Sequence, residues 1–106
     1  MRALIDTGAS HTFVDPSVIT PLGLTPTGGS SVNSATTGAT PANCDQYDVC
    51  LVISSTISSP LIRGVMPVGT LPLLASVGLH ALIGRDVLGE CLLVYDGRGG
   101  SFSLAY

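Results

Sequence analysis

The stretch Ala3-Leu4-Ile5-Asp6-Thr7-Gly8-Ala9-Ser10-His11-Thr12-Phe13-Val14 decides how this chain is read. Two short segments with apolar character, Ala3–Ile5 and Thr12–Val14, read as strands around a polar turn. A carboxylate that ends an apolar strand and precedes Thr-Gly is held in a narrow, dry turn. Gly8 lets the backbone turn sharply and lets a ligand come close. Thr7 supplies a hydroxyl that can tie two loops together. The tripeptide alone is a weak signal, because Asp beside Gly more commonly makes only an Asx-turn.

Working outward, Asp15-Pro16 starts a short helix: Asp15 caps the first N–H groups and Pro16 suits the first helical position. Val18, Ile19 and Leu22 share one face, and Gly23 ends the helix in a left-handed conformation. Residues 25–46 are rich in Gly, Ser, Thr and Pro, the composition of a loop. Beyond them, Tyr47, Val49, Leu51 and Ile53 alternate with Asp48, Cys50, Val52 and Ser54, a strand with one buried face. Ser31–Ala35 is expected to pair with it antiparallel, with Thr36–Asn43 as the hairpin tip. Leu61–Val68 reads as a strand whose Pro67 favours an edge position. Ala81-Leu82-Ile83 reads as a buried strand, and Asp86 to about Cys91 as a short helix. Leu92–Tyr95 and Phe102–Tyr106 are strands joined by the turn Asp96-Gly97-Arg98-Gly99-Gly100. Many short strands and one or two short helices make the chain all-β and barrel-like, a single domain over residues 1–106.

Composition narrows the function classes. Of the 106 residues, 45% are hydrophobic and 10% charged, which excludes intrinsic disorder and hints at a surface covered by a partner. The net charge of −3 comes from Arg alone against seven acids, with no basic run, so nucleic-acid binding has no electrostatic basis. The apolar runs are too short to span a membrane. Cys44, Cys50 and Cys91 form no CxxC pair and match no His spacing, so no metal site is expected. They read as thiols in a reducing, cytoplasmic compartment, although a Cys44–Cys50 bridge across a hairpin is conceivable.

The segment Ala3 to Ser10, with Phe13-Val14 behind it, resembles the active-site loop of aspartic peptidases. Ala81-Leu82-Ile83-Gly84-Arg85-Asp86-Val87-Leu88 resembles the second signature of the retropepsin branch, and the two lie about 75 residues apart. Ser34-Ala35-Thr36-Thr37-Gly38, followed by Tyr47-Asp48-Val49, is similar to the flap hairpin, here over about residues 31–54. Leu92–Gly97 and Phe102–Tyr106 look like the closing strands of bacterial and retroelement members. The resemblance covers nearly the whole chain in order. It implies a closed, six-stranded acid-protease barrel half with one or two short helices. It also implies a strand hairpin before the Asp loop that finds no counterpart here, which puts dimer stability in doubt.

What the resemblance implies chemically follows from a single Asp-Thr-Gly. Peptide hydrolysis by this route needs two carboxylates around one water. Like charges about 3 Å apart cannot both ionise, so the pair shares a proton and titrates as a unit. One member takes a proton from the water; the other polarises the scissile carbonyl. A chain with one Asp6 must therefore borrow the second from a symmetric copy. On the family pattern Asp6 is catalytic, Thr7 bonds across the two-fold axis, and Gly8 contacts the substrate backbone. Ala9 stands where pepsin-like loops carry Ser, and Ser10 where retroviral loops commonly carry Asp. Thr36, Thr37 and Gly38 belong to the flap, which would close over substrate; without the resemblance they are an exposed hairpin tip. Gly84, Arg85 and Asp86 give structural support: Asp86 caps a helix and positions Arg85, whose usual carboxylate partner is missing, so that its salt bridge is either lost or re-routed to Asp15. His11 either lines a substrate pocket or sits on an exposed loop, and His80 reads as structural. Ser10, His11 and Asp6 are too close in sequence for triad geometry. The expected activity is a homodimeric aspartic endopeptidase acting on extended peptides, with no cofactor and no metal. The alternative is a retropepsin-type binding or dimerisation module without turnover.

Overall fold

The computed structural model describes residues 1–32 and 42–106. The elements in chain order are β1 (Ala3–Ile5), β2 (Phe13–Val14), α1 (Pro16–Ile19) with a 3-10 turn (Thr20–Leu22), β3 (Gly28–Val32), β4 (Ala42–Ile53), β5 (Leu61–Thr70), α2 (Leu73–Ser76), β6 (Ala81–Ile83), α3 (Arg85–Leu88), β7 (Leu92–Asp96) and β8 (Ser101–Ala105). The chain is mostly β. Six strands form one sheet in the order β1-β6-β2-β5-β4-β3, and β7 and β8 form a separate hairpin. Among the described residues the six-stranded sheet is open: β1 and β3 are its two ends and do not pair with each other.

The alternation in β4 is borne out. Tyr47, Val49, Leu51 and Ile53 pack against the core while Asp48, Cys50 and Val52 face out. Opposite them, Met66 and Val68 of β5 are buried. Between Cys50 and Leu51 the register shifts, so Gly64 bulges out of β5 without a partner residue. Pro67 sits where β5 has β4 on one side only, since β2 pairs with β5 solely at Gly69 and Thr70. That is the position a residue without an N–H tolerates. The core is closed by Val14, Ile19, Ala81, Ile83, Val87 and Leu88.

Helix α1 follows its sequence signals. Asp15 accepts the Ser17 N–H at 2.9 Å, Pro16 occupies the first turn, and Gly23 closes the following 3-10 turn at φ +63°. Asp15 does more than cap. It is buried, and its second oxygen accepts the Ala75 N–H of α2 at 3.0 Å. Its hydrogen bonds with Ser17 hold its carboxyl below the usual carboxylate range, helped by Ala75 and by the field of His80. Helix α2 was not expected from the sequence.

One pairing differs from expectation. The strand facing the hairpin is Gly28–Val32, and it pairs with Ala42–Gln46 rather than with residues 47–53. Ala42 and Asn43 are therefore strand, not hairpin tip. Residues 33–35 of the expected strand, and the flap residues Thr36, Thr37 and Gly38, lie outside the described residues. Cys44, Cys50 and Cys91 are thiols, with no disulfide formed between them.

Candidate active site

The site is assembled by three strand ends. Strands β1 and β6 run parallel with Ile5 beside Ile83, so Asp6 and Gly84 leave the sheet at the same end. Strand β2 runs antiparallel to β6 with Phe13 beside Leu82, so its first neighbour, Thr12, starts at that end too. Topology alone thus brings the Asp6–Thr12 loop against Gly84–Asp86.

Hydrogen bonds then fix the loop. The Asp6 N–H donates to the Ile83 carbonyl at 3.0 Å, continuing the parallel ladder by one step. The Gly8 N–H donates to Asp6 Oδ1 at 2.8 Å, an Asx-type turn. A Cβ on Gly8 would lie 3.1 Å from that same oxygen, so the turn is tight on its own carboxylate. The Ala9 carbonyl accepts the Arg85 N–H at 2.9 Å. Arg85 Nη1 donates to the Thr7 carbonyl at 2.9 Å. Arg85 therefore holds the loop by its backbone and its side chain together, and Asp15 is not its partner.

Gly84 makes the close approach possible. It is buried, and a Cβ there would lie 2.3 Å from the His11 carbonyl oxygen. Only a residue without a side chain lets the two segments meet. Asp86 sits in the first turn of α3, two residues past Gly84, which holds the cap position in place of the expected Asp86. Its Oδ1 accepts the Val87 N–H at 2.9 Å and the Thr12 hydroxyl at 2.6 Å, and its Oδ2 accepts the Thr12 N–H at 2.8 Å. Both oxygens accept hydrogen bonds from the chain itself, as do both of Asp15.

Asp6 differs in that respect. It is half-buried, Thr7 and Gly8 beside it are exposed, and no donor among the described residues reaches its Oδ2. Ser10 and His11 are also exposed, with Ser10 Oγ 2.8 Å from His11 Nδ1. His80 lies apart: its Nδ1 accepts the Arg2 N–H at 3.0 Å and its carbonyl accepts the Asp15 N–H at 2.8 Å. Among the described residues no group of three or more His, Cys, Asp or Glu is placed to hold a metal ion. No helix there is long and apolar enough to cross a membrane.

A family model described as aspartyl protease matches residues 1–87, which include the Asp6 loop and Gly84–Asp86. The chain belongs to the aspartyl protease family. The retropepsin-like branch to which the motifs pointed is the one the match supports. No curated protein matches the chain. In this member of the aspartyl protease family the residue that the quoted motifs do not announce is Thr12, which contacts both Gly84 and Asp86. Its only sequence signal is a hydroxyl at the entry to a buried strand. Gly84 carried a clearer one, a glycine between a buried strand and a helix.

Proposed function

We propose that the chain is one half of a homodimeric aspartic endopeptidase in which two Asp6 carboxylates, one per copy, activate a water for peptide hydrolysis. The observation that carries this is the contrast at the carboxylates: Asp86 and Asp15 have both oxygens engaged, whereas Asp6 keeps one open at the exposed tip of a fixed loop. A rigid backbone with an accessible, half-liganded carboxylate is what a shared catalytic pair requires. Thr7, exposed beside Asp6, is placed to meet its own copy across a two-fold axis, and Gly8 to contact an extended substrate backbone. The substrate would lie as an extended strand against this loop. The six-stranded sheet is then half of a symmetric acid-protease body.

Exposed apolar side chains support a second copy. The hairpin β7–β8 carries much of the uncovered apolar surface: Leu92, Val94, Tyr95 and Phe102 are all more than half exposed. An isolated two-stranded hairpin is marginal in water. We assign it to the dimer interface. Asp6→Asn tests the function. It is expected to leave the dimer mass by light scattering unchanged and to lower kcat by at least about 10³-fold, the scale of losing a catalytic group. Cleavage surviving Asp6→Asn would overturn the proposal. A wild-type dimer that binds labelled casein without cleaving it would establish the non-catalytic module instead.

A further inference from the structure

Thr12 is 0% exposed, the most deeply buried polar residue described. A buried hydroxyl is tolerated only when hydrogen-bonded. This one is used twice: it donates to Asp86 Oδ1 at 2.6 Å and accepts the buried Gly84 N–H at 3.1 Å. The Thr12 N–H donates to Asp86 Oδ2 at 2.8 Å, and the Thr12 carbonyl accepts the Gly69 N–H of β5 at 3.1 Å. Every polar group of the residue is therefore engaged, across two other segments of the chain.

Its place in the loop gives this meaning. The Asp6 loop is anchored at its start by the Asp6 N–H on Ile83 and in its middle by Arg85 on Thr7 and Ala9. Thr12 anchors its far end. Between the anchors Thr7, Gly8, Ser10 and His11 are exposed, so hydrogen bonds rather than apolar packing set the path of the loop. We propose that Thr12 is a positioning residue: its hydroxyl clamps the Asp6 loop to Gly84 and Asp86 and thereby fixes where the Asp6 carboxylate stands. It touches no substrate and acts through the loop. Its kinetic consequence presupposes Asp6 as the catalytic carboxylate; the clamp itself does not.

Two near-isosteric changes separate a clamp from a core filler. Thr12→Val keeps the volume and removes the hydroxyl. Thr12→Ser keeps the hydroxyl and removes a methyl. A clamp fails in the first and survives in the second; a filler does the reverse. In the full chain, amide hydrogen exchange is expected to accelerate about tenfold at Ala9, Thr12 and Arg85 in Thr12→Val, relative to the β4–β5 ladder. Thr12→Ser should stay within about twofold of wild type. On labelled casein, Thr12→Val should lower kcat about tenfold with little change in KM, and Thr12→Ser should restore it. Greater damage from Thr12→Ser, or equal acceleration of all amides in Thr12→Val, overturns the clamp. Should Thr12→Val fail to fold, the same exchange pattern in Asp86→Asn decides it: selective acceleration supports the clamp and a wild-type pattern overturns it. If the wild type cleaves no casein, exchange still judges the clamp, and the catalytic reading of Asp6 falls by itself.

Discussion

The junction of the Asp6 loop with Gly84–Asp86 and the hairpin β7–β8 are built on opposite terms. At the junction almost every polar group has a partner inside the chain, and a buried glycine brings two backbones into contact. The hairpin has a well-formed turn, where Asp96 Oδ1 accepts the N–H groups of Arg98 and Gly99, yet most of its apolar side chains face water. Its ties to the body are few among the described residues: Leu104 packs on the core, and the Tyr106 hydroxyl just beyond β8 donates to the Ser59 carbonyl at 2.8 Å. The difference teaches that one chain fixes its Asp6 loop with its own hydrogen bonds but leaves the apolar face of its hairpin open to water. Substitutions in the two regions should therefore fail in different ways.

The largest effect is expected at Gly84. Gly84→Ala sets a methyl against the His11 carbonyl, where neither backbone can yield. The loss should be about 3 kcal/mol in urea unfolding, at the upper end of overpacking, with cleavage abolished. An unchanged midpoint would show that the junction is looser than its geometry. Next comes Arg85. Arg85→Met removes the bond to the Thr7 carbonyl from an exposed side chain and should lower unfolding stability by only about 1 kcal/mol. Cleavage should fall by about tenfold, because the loop tip moves.

The hairpin should answer in the opposite sense. Leu92→Ser with Val94→Ser changes exposed side chains and should alter monomer stability by only about 0.5 kcal/mol each. Mass by light scattering should nevertheless drop from dimer to monomer, and activity should become steeply concentration-dependent. A dimer that persists would move the interface elsewhere and erase the comparison.

The smallest effect is in the pH dependence. The folded-state carboxyl of Asp15 lies below its ordinary value of 3.8, so its contribution is complete above that value and is lost as pH falls through the folded one. Acid unfolding below about pH 4 should flatten in Asp15→Asn, while stability at neutral pH drops. Glu90 is also lowered, by its hydrogen bond and ion pair with the half-buried Arg63, but Glu90 itself is exposed and salt should screen the pair.

Much of this was legible in the sequence because it is locally encoded. The Asp15-Pro16 start, the Gly23 stop, the alternation from Tyr47 to Ile53 and the Asp96–Gly100 turn each follow from neighbouring residues. What was misread depends on distant partners. Gly28-Gly29-Ser30-Ser31 has no apolar alternation, so its register is set by the backbone ladder with Ala42–Gln46 and not by side chains. Helix α2 is held at Ala75 by Asp15, 60 residues away. Arg85 found a backbone carbonyl instead of a carboxylate, a choice that only the folded loop offers. Thr12 was visible as a strand residue, but its role depends on where Gly84 and Asp86 arrive.

The central claim is that catalysis needs an Asp6 from each of two copies. Mixing tests it most directly. Wild-type chains equilibrated with a roughly ninefold excess of Asp6→Ala chains would sit mostly in mixed dimers, and activity per wild-type chain should fall about tenfold. Activity per wild-type chain that stays constant would mean that one copy works alone, and would contradict the account.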